Sequence, residues 1–176
     1  MGFQSTVSIP QGFGVPGEIF QTAPQLVLSY TLASGAQPNI VGATAYTITS
    51  QGVAQAGSGG THGFAGILCS PKEYALYGTS IGGPLAATLT LPNQTQAELL
   101  TEGMMIVTLP AAAAIGDYVL YNDTTGALAT MAPGPTCTTG YSFANAIVSQ
   151  FTQGVAGSAL AVIQVNPVIN PIPTNA

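Results

Sequence analysis

Six carboxylates, one histidine, one lysine and two cysteines supply almost all the acid–base, nucleophilic or metal-binding chemistry open to this 176-residue chain. A nucleophile triad needs a base, and His62 is the single histidine. Gly78-Thr79-Ser80-Ile81-Gly82 matches the letters of a nucleophile elbow, which requires a strand before it and a helix after it. Here Gly83-Pro84 and an alternating stretch follow, so the match reads as a loop in a Gly- and Ser-rich chain. Glu98 and Glu102 are four apart and would share a face on a helix. Gly103 follows at once and Met104 to Leu109 is strand-like, so the segment reads as one turn of helix or an irregular strand rather than an acid–base pair. Asp117 is the remaining acid open to a carboxylate-only hydrolase, while Asp123 sits in a turn cluster and reads as a turn former. Lys72 lies beside Glu73 in a Ser-Pro turn, outside any phosphate-binding glycine loop. His62 has no second His or close carboxylate in sequence and reads as a polar edge residue. No Cys/His cluster has the spacing of a zinc site. Cys69 and Cys137 read as buried thiols, with a disulfide between them left open. The expectation is a non-enzymatic chain with no catalytic residue, no metal and no cofactor.

The elements that would position any site are strands. Ala114 to Met131 (AIGDYVLYNDTTGALATM) reads as a complete β-hairpin: Tyr118 to Tyr121 go in, Asn122 to Gly126 turn, and Ala127 to Met131 lead out. Gln25 to Leu32 alternates, with Leu26, Leu28, Tyr30 and Leu32 on one face, as in a half-buried strand. Asn39 to Ser50 reads as a second strand with Gly42 at a bulge. Gln51 to Gly60 reads as an exposed loop, and Gly63 to Cys69 as a buried strand centred on Ile67. Tyr74 to Tyr77 and Leu85 to Leu91 read as further short strands. Pro110 to Ile115, with four consecutive Ala, is the best place for a helical turn. Tyr141 to Phe151 alternates imperfectly, and Gly157 to Val165 closes the series. Nine or ten short strands and no long helix predict an all-β fold, an antiparallel β-sandwich or β-barrel of jelly-roll type, over residues 25–165.

Two extended segments flank that body. Residues 1–24 hold Phe3, Val7, Ile9, Phe13, Val15, Ile19 and Phe20 among glycines and prolines, too many apolar side chains for a free tail. The arm is expected to lie on its own core or on a neighbour. Residues 166–176, with Val168, Ile169 and Ile172, are punctuated by Pro, which cannot donate to a ladder. Charged residues make up 4% of the chain, where a typical domain has about 25%. One basic side chain cannot neutralise many phosphates, which argues against direct nucleic-acid binding. No apolar run has the length of a membrane span, and the N-terminus has no secretory pattern. A surface of Thr, Ser, Gln, Asn, Gly and Ala lacks the mixed charges that keep small monomers apart, and suits a protein that works assembled.

Four stretches carry a resemblance: VPGEIFQTAPQLVLSYTL (Val15–Leu32), GFAGILCSPKEYALYG (Gly63–Gly78), GDYVLYNDTTGALA (Gly116–Ala129) and ALAVIQVNP (Ala159–Pro167). In them the chain resembles the decoration, or cement, proteins of tailed-bacteriophage capsids. The resemblance implies a β-rich virion protein, made in the host cytoplasm, on the outer capsid surface. It would bridge neighbouring copies of the major capsid protein and hold the shell against the pressure of packaged DNA. It further implies a dimer or trimer, with the two flanking segments as contacts and no nucleic-acid or membrane partner. Two other classes share the composition: a surface fibre or adhesin subunit, and a carbohydrate-binding sandwich using Tyr74, Tyr77, Tyr118 and Tyr121 as a stacking platform.

Overall fold

The computed structural model describes residues 14–20, 24–57, 63–70, 89–155 and 158–166. In chain order its strands are β1 (Leu26–Thr31), β2 (Asn39–Ile40), β3 (Ala45–Ile48), β4 (Ala54–Ala56), β5 (Phe64–Leu68), β6 (Thr90–Leu91), β7 (Gln96–Leu109), β8 (Tyr118–Asn122), β9 (Leu128–Met131), β10 (Tyr141–Val155) and β11 (Ser158–Val165). Nine form one antiparallel sheet in the order β4-β3-β5-β7-β11-β10-β8-β9, with β1 added alongside β7, and β2 pairs with β6 apart from it.

The strand that decides the architecture is β7. Its N-terminal half pairs with β1 and β5, and its C-terminal half, Gly103 to Leu109, pairs with β11. At the junction the register slips: Leu26 faces Glu102 but Val27 faces Leu100. Thr101 is the extra residue, and its hydroxyl donates to the Ala65 carbonyl at 2.9 Å. An extra residue reverses the in–out alternation beyond it. Leu100 and then Met105, Val107 and Leu109 therefore reach one apolar cluster, while Ala97 and Leu99 reach another. A strand that changes layers at a bulge is a means of folding one sheet into a sandwich.

The larger cluster fills the space between the layers, where Ile67, Met105, Val119, Tyr121, Val148 and Ile163 meet. The smaller one lies against Tyr46, Leu68 and Leu99 and includes Leu32 and Leu91. A buried polar network fastens its cover. The Tyr46 hydroxyl donates to Asn39 Oδ1 at 2.9 Å, and Asn39 Nδ2 donates to the Leu91 carbonyl and to Asn93 Oδ1. Each buried polar atom has a partner, so the network costs little to bury.

The β8–β9 hairpin closes the far side. Asn122 Oδ1 accepts from the Thr124 and Thr125 amides and shapes the turn. The turn then docks on the start of β3: Ala45 N–H donates to the Gly126 carbonyl at 2.9 Å and Leu128 N–H to the Ala43 carbonyl at 3.1 Å. Thr44 and Ala127 form a bridge between them. The all-β sandwich expected from sequence is the fold found, joined along one seam by this docking.

Four local expectations are corrected. Asn39 to Ser50 is not one strand. Gly42 turns the chain at φ +66 instead of marking a bulge, because its N–H donates to Leu68 and its carbonyl accepts from Thr108. The expected loop at Gln51 to Gly60 contains β4, where Ala54 and Ala56 are small enough to bury against the chain leaving β1. Pro110 to Ile115 forms no helical turn, because Asp117 captures the Ala114 amide and closes a tight turn there. Leu26 and Leu28, placed by alternation on a buried face, are exposed, since β1 lies at a margin and sends only Val27 and Tyr30 to the clusters.

Gly126 sits at φ +72, and a Cβ there would come within 2.6 Å of the Ala45 carbonyl oxygen and 2.8 Å of the Gly57 nitrogen. Both neighbours are backbone, so neither rotates away. Gly126→Ala is expected to cost about 2–4 kcal/mol, from the positive φ and the clash together. Urea unfolding monitored by circular dichroism measures it.

Candidate contact surface

The described part of the N-terminal arm is tied to its own chain. Gly17 N–H donates to the Ile106 carbonyl, Ile106 N–H to Glu18, and Phe20 N–H to Met104. Ile19 packs against the larger cluster, while Val15 stays 63% exposed. Residues 14–20 thus line the margin of β7 opposite β11. Phe3, Val7, Ile9, Phe13, Val168, Ile169 and Ile172 lie outside the described residues. So do His62, Lys72, Glu73, Tyr74, Tyr77 and the Gly78–Gly82 motif.

The acids divide into two kinds. Glu18 accepts from the Val15 amide, Asp117 from the Ala114 amide, and Asp123 from the Ser142 hydroxyl at 2.7 Å. Glu18 and Asp117 shape local turns, and Asp123 ties the end of β8 to β10. Glu98 and Glu102 are exposed on β7, and among the described residues neither accepts a hydrogen bond. Because Thr101 reverses the alternation between them, they point to opposite faces of the sheet. They cannot share a proton or a substrate as an acid–base pair.

Both cysteines are free and buried. Burial, with the nearby Glu98 charge adding to it, pushes the Cys69 thiol up to about 12. Burial also raises Cys137, with Asp123 adding to it. Thiols held this firmly protonated are poor nucleophiles. Among the described residues no three His, Cys, Asp or Glu side chains come together as a metal site. Tyr118 and Tyr121 lie on opposite faces of β8. Tyr121 is buried beside Phe64, and Tyr118 packs on Phe143 with ring centres 5.5 Å apart. They do not form one stacking platform for a sugar.

What the surface does offer is apolar. A groove of about 460 Å³ opens at the seam, lined by Pro38, Ile40, Ala43, Leu109, Pro110 and Leu128 among others, and no charged residue lines it. Ile115 is 68% exposed in the turn before β8. Leu26 and Leu28, 45% and 37% exposed, stand side by side on β1. Sequence reasoning missed this pair, since alternation shows that two leucines share a face but not whether anything covers it.

A family profile described as structural cement protein (E217 gp24/Pam3 gp6) matches residues 3–166. The chain belongs to this family of phage proteins. A cement protein is a structural component of the virion, and it associates with capsid proteins. No curated protein matches the chain.

In this cement protein the buried thiol gives stability a defined alkaline limit. Folded Cys69 keeps its proton up to about 12, whereas its ordinary value is 9.0. Above the lower value the unfolded chain releases a proton that the folded chain retains, so rising pH favours unfolding. The contribution is intact below pH 9.0 and declines progressively toward about 12. Tyr46, raised by burial, acts in the same direction. Unfolding midpoints should hold to about pH 9 and then fall progressively to about pH 11, and Cys69→Ala should make the fall shallower.

Proposed function

We propose that this cement protein sits on the outer surface of the phage capsid, bridges neighbouring major capsid proteins and so stabilises the shell. The observation that carries the reading is the character of its surface. Large apolar side chains stand exposed at Val15, Leu26, Leu28 and Ile115, on a chain with one lysine and no arginine. Membership of the structural cement proteins supports a capsid as what covers such a surface.

In this reading residues 14–20 fasten the first segment to its own β7, and the ends of the segments 1–24 and 166–176 dock on adjacent subunits, through Phe3, Val7, Ile9 and Phe13 at one end and Val168, Ile169 and Ile172 at the other. Copies pair or form trimers at local symmetry positions, so each lattice site is held by several modest contacts acting together. With one lysine the protein has little means of gripping packaged DNA directly, and the reading calls on no membrane and no catalysis.

Co-sedimentation with shells assembled from the major capsid protein tests the proposal. The full chain should bind in a fixed ratio and raise the temperature at which shells disrupt. Removing residues 1–13 should lower occupancy by about tenfold or more, the loss of roughly 1.4 kcal/mol of docking. Full-length protein that ignores the shells would overturn the reading.

A further inference from the structure

The outer edge of β1 carries a second kind of information. β1 pairs only with β7, and its sequence, Leu-Val-Leu-Ser-Tyr-Thr, contains no charge and no proline. Exposed edge strands are usually blunted by lysine, proline or a bulge on the strand itself, and β1 has none of these. The Glu98 carbonyl is taken by the Cys69 amide on the β5 side. In the antiparallel Ser29–Glu98 pair the backbone groups therefore point apart, which turns the Ser29 N–H and C=O outward. By alternation Val27 presents its own the same way. Beyond Ser29 the edge is taken by β4, where Leu32 and Ala54 form a parallel bridge and Ala33 N–H donates to the Ala54 carbonyl at 2.8 Å. Among the described residues nothing pairs with Val27 or Ser29 on that edge.

The two faces beside it differ. On one stand Leu26 and Leu28, exposed and apolar. On the other Ser29, a small side chain, lies directly across from Glu98, which is exposed and accepts no hydrogen bond among the described residues. Glu102, across from Leu26, carries a second such charge. A strand added outside β1 would lie two strand spacings from β7, about 10 Å. A Lys or Arg on that strand can reach over Ser29 toward Glu98, whereas a leucine at that position would block it. With one lysine against six acids, the chain leaves most of its carboxylates for a partner's cations to meet.

We infer that β1 is a strand-addition site for an extended segment of the major capsid protein in which apolar residues alternate with Lys or Arg. The apolar residues cover Leu26 and Leu28, the basic ones meet Glu98 across Ser29, and the backbone of the segment pairs with Val27 and Ser29. This rests on the capsid-binding reading above and gives it a specific contact. The charge pattern favours the coat protein over a second copy, because a second β1 brings no cation.

The test uses the full chain and purified shells of major capsid protein. Ser29→Pro removes one outward N–H and no bond to β7, and Glu98→Lys reverses the charge. Each should keep the wild-type melting temperature and lower shell occupancy by about tenfold or more. A photo-crosslinking residue in place of Leu28 should join a coat-protein peptide with the alternating pattern. Should Ser29→Pro fail to fold, Glu98→Lys and the crosslink decide. Folded variants with wild-type occupancy, or a crosslink to another copy of this chain, would overturn the inference and leave shell binding standing. Failure of the wild type itself to bind shells would instead remove the reading on which it rests.

Discussion

The constraint on which this structure turns is that β7 must satisfy hydrogen bonds along both of its edges while it passes between layers. Over its fourteen residues it meets β5 and then β11 on one side, and β1 and then the arm on the other. An unpaired backbone group in the interior costs on the order of 1–3 kcal/mol, so a strand this long and this buried cannot leave gaps. The slip at Thr101 is where the requirement is met without a break: one residue steps out of the ladder, bonds Ala65 through its side chain, and lets each half face its own cluster.

Several remote features follow from that slip. The arm can lie along Met104 to Ile106 because the C-terminal half of β7 turns alternate backbone groups away from β11. Glu98 and Glu102, four apart in sequence, end on opposite faces, which rules them out as an acid–base pair.

Much of the fold was legible in the residues. The Asn122–Gly126 turn, the buried strand around Ile67 and the closing strand at Ala159 to Val165 are each fixed by local chemistry: an Asn side chain that caps amides, a continuous apolar run, and an apolar run broken only by Gln164. Legibility failed where a distant partner decides. Gly42 turns rather than bulges because Leu68 and Thr108 claim its backbone. Ala54 and Ala56 form a strand because small residues fit beneath another segment, not because alanine favours sheets. Leu26 and Leu28 read as core because alternation gives a face without giving its neighbour. The capsid association was legible only through likeness to a family, since no side chain carries it as a motif.

The division of labour within β1 also bears on how such a protein changes over time. Val27 and Tyr30 are held by what lies beneath them, but among the described residues Leu26, Leu28 and Ser29 pack into neither apolar cluster. Replacements there leave the interior untouched, as surface substitutions generally do. Three positions on one margin are thus free to drift in step with whatever they meet, while the sandwich behind them stays the same.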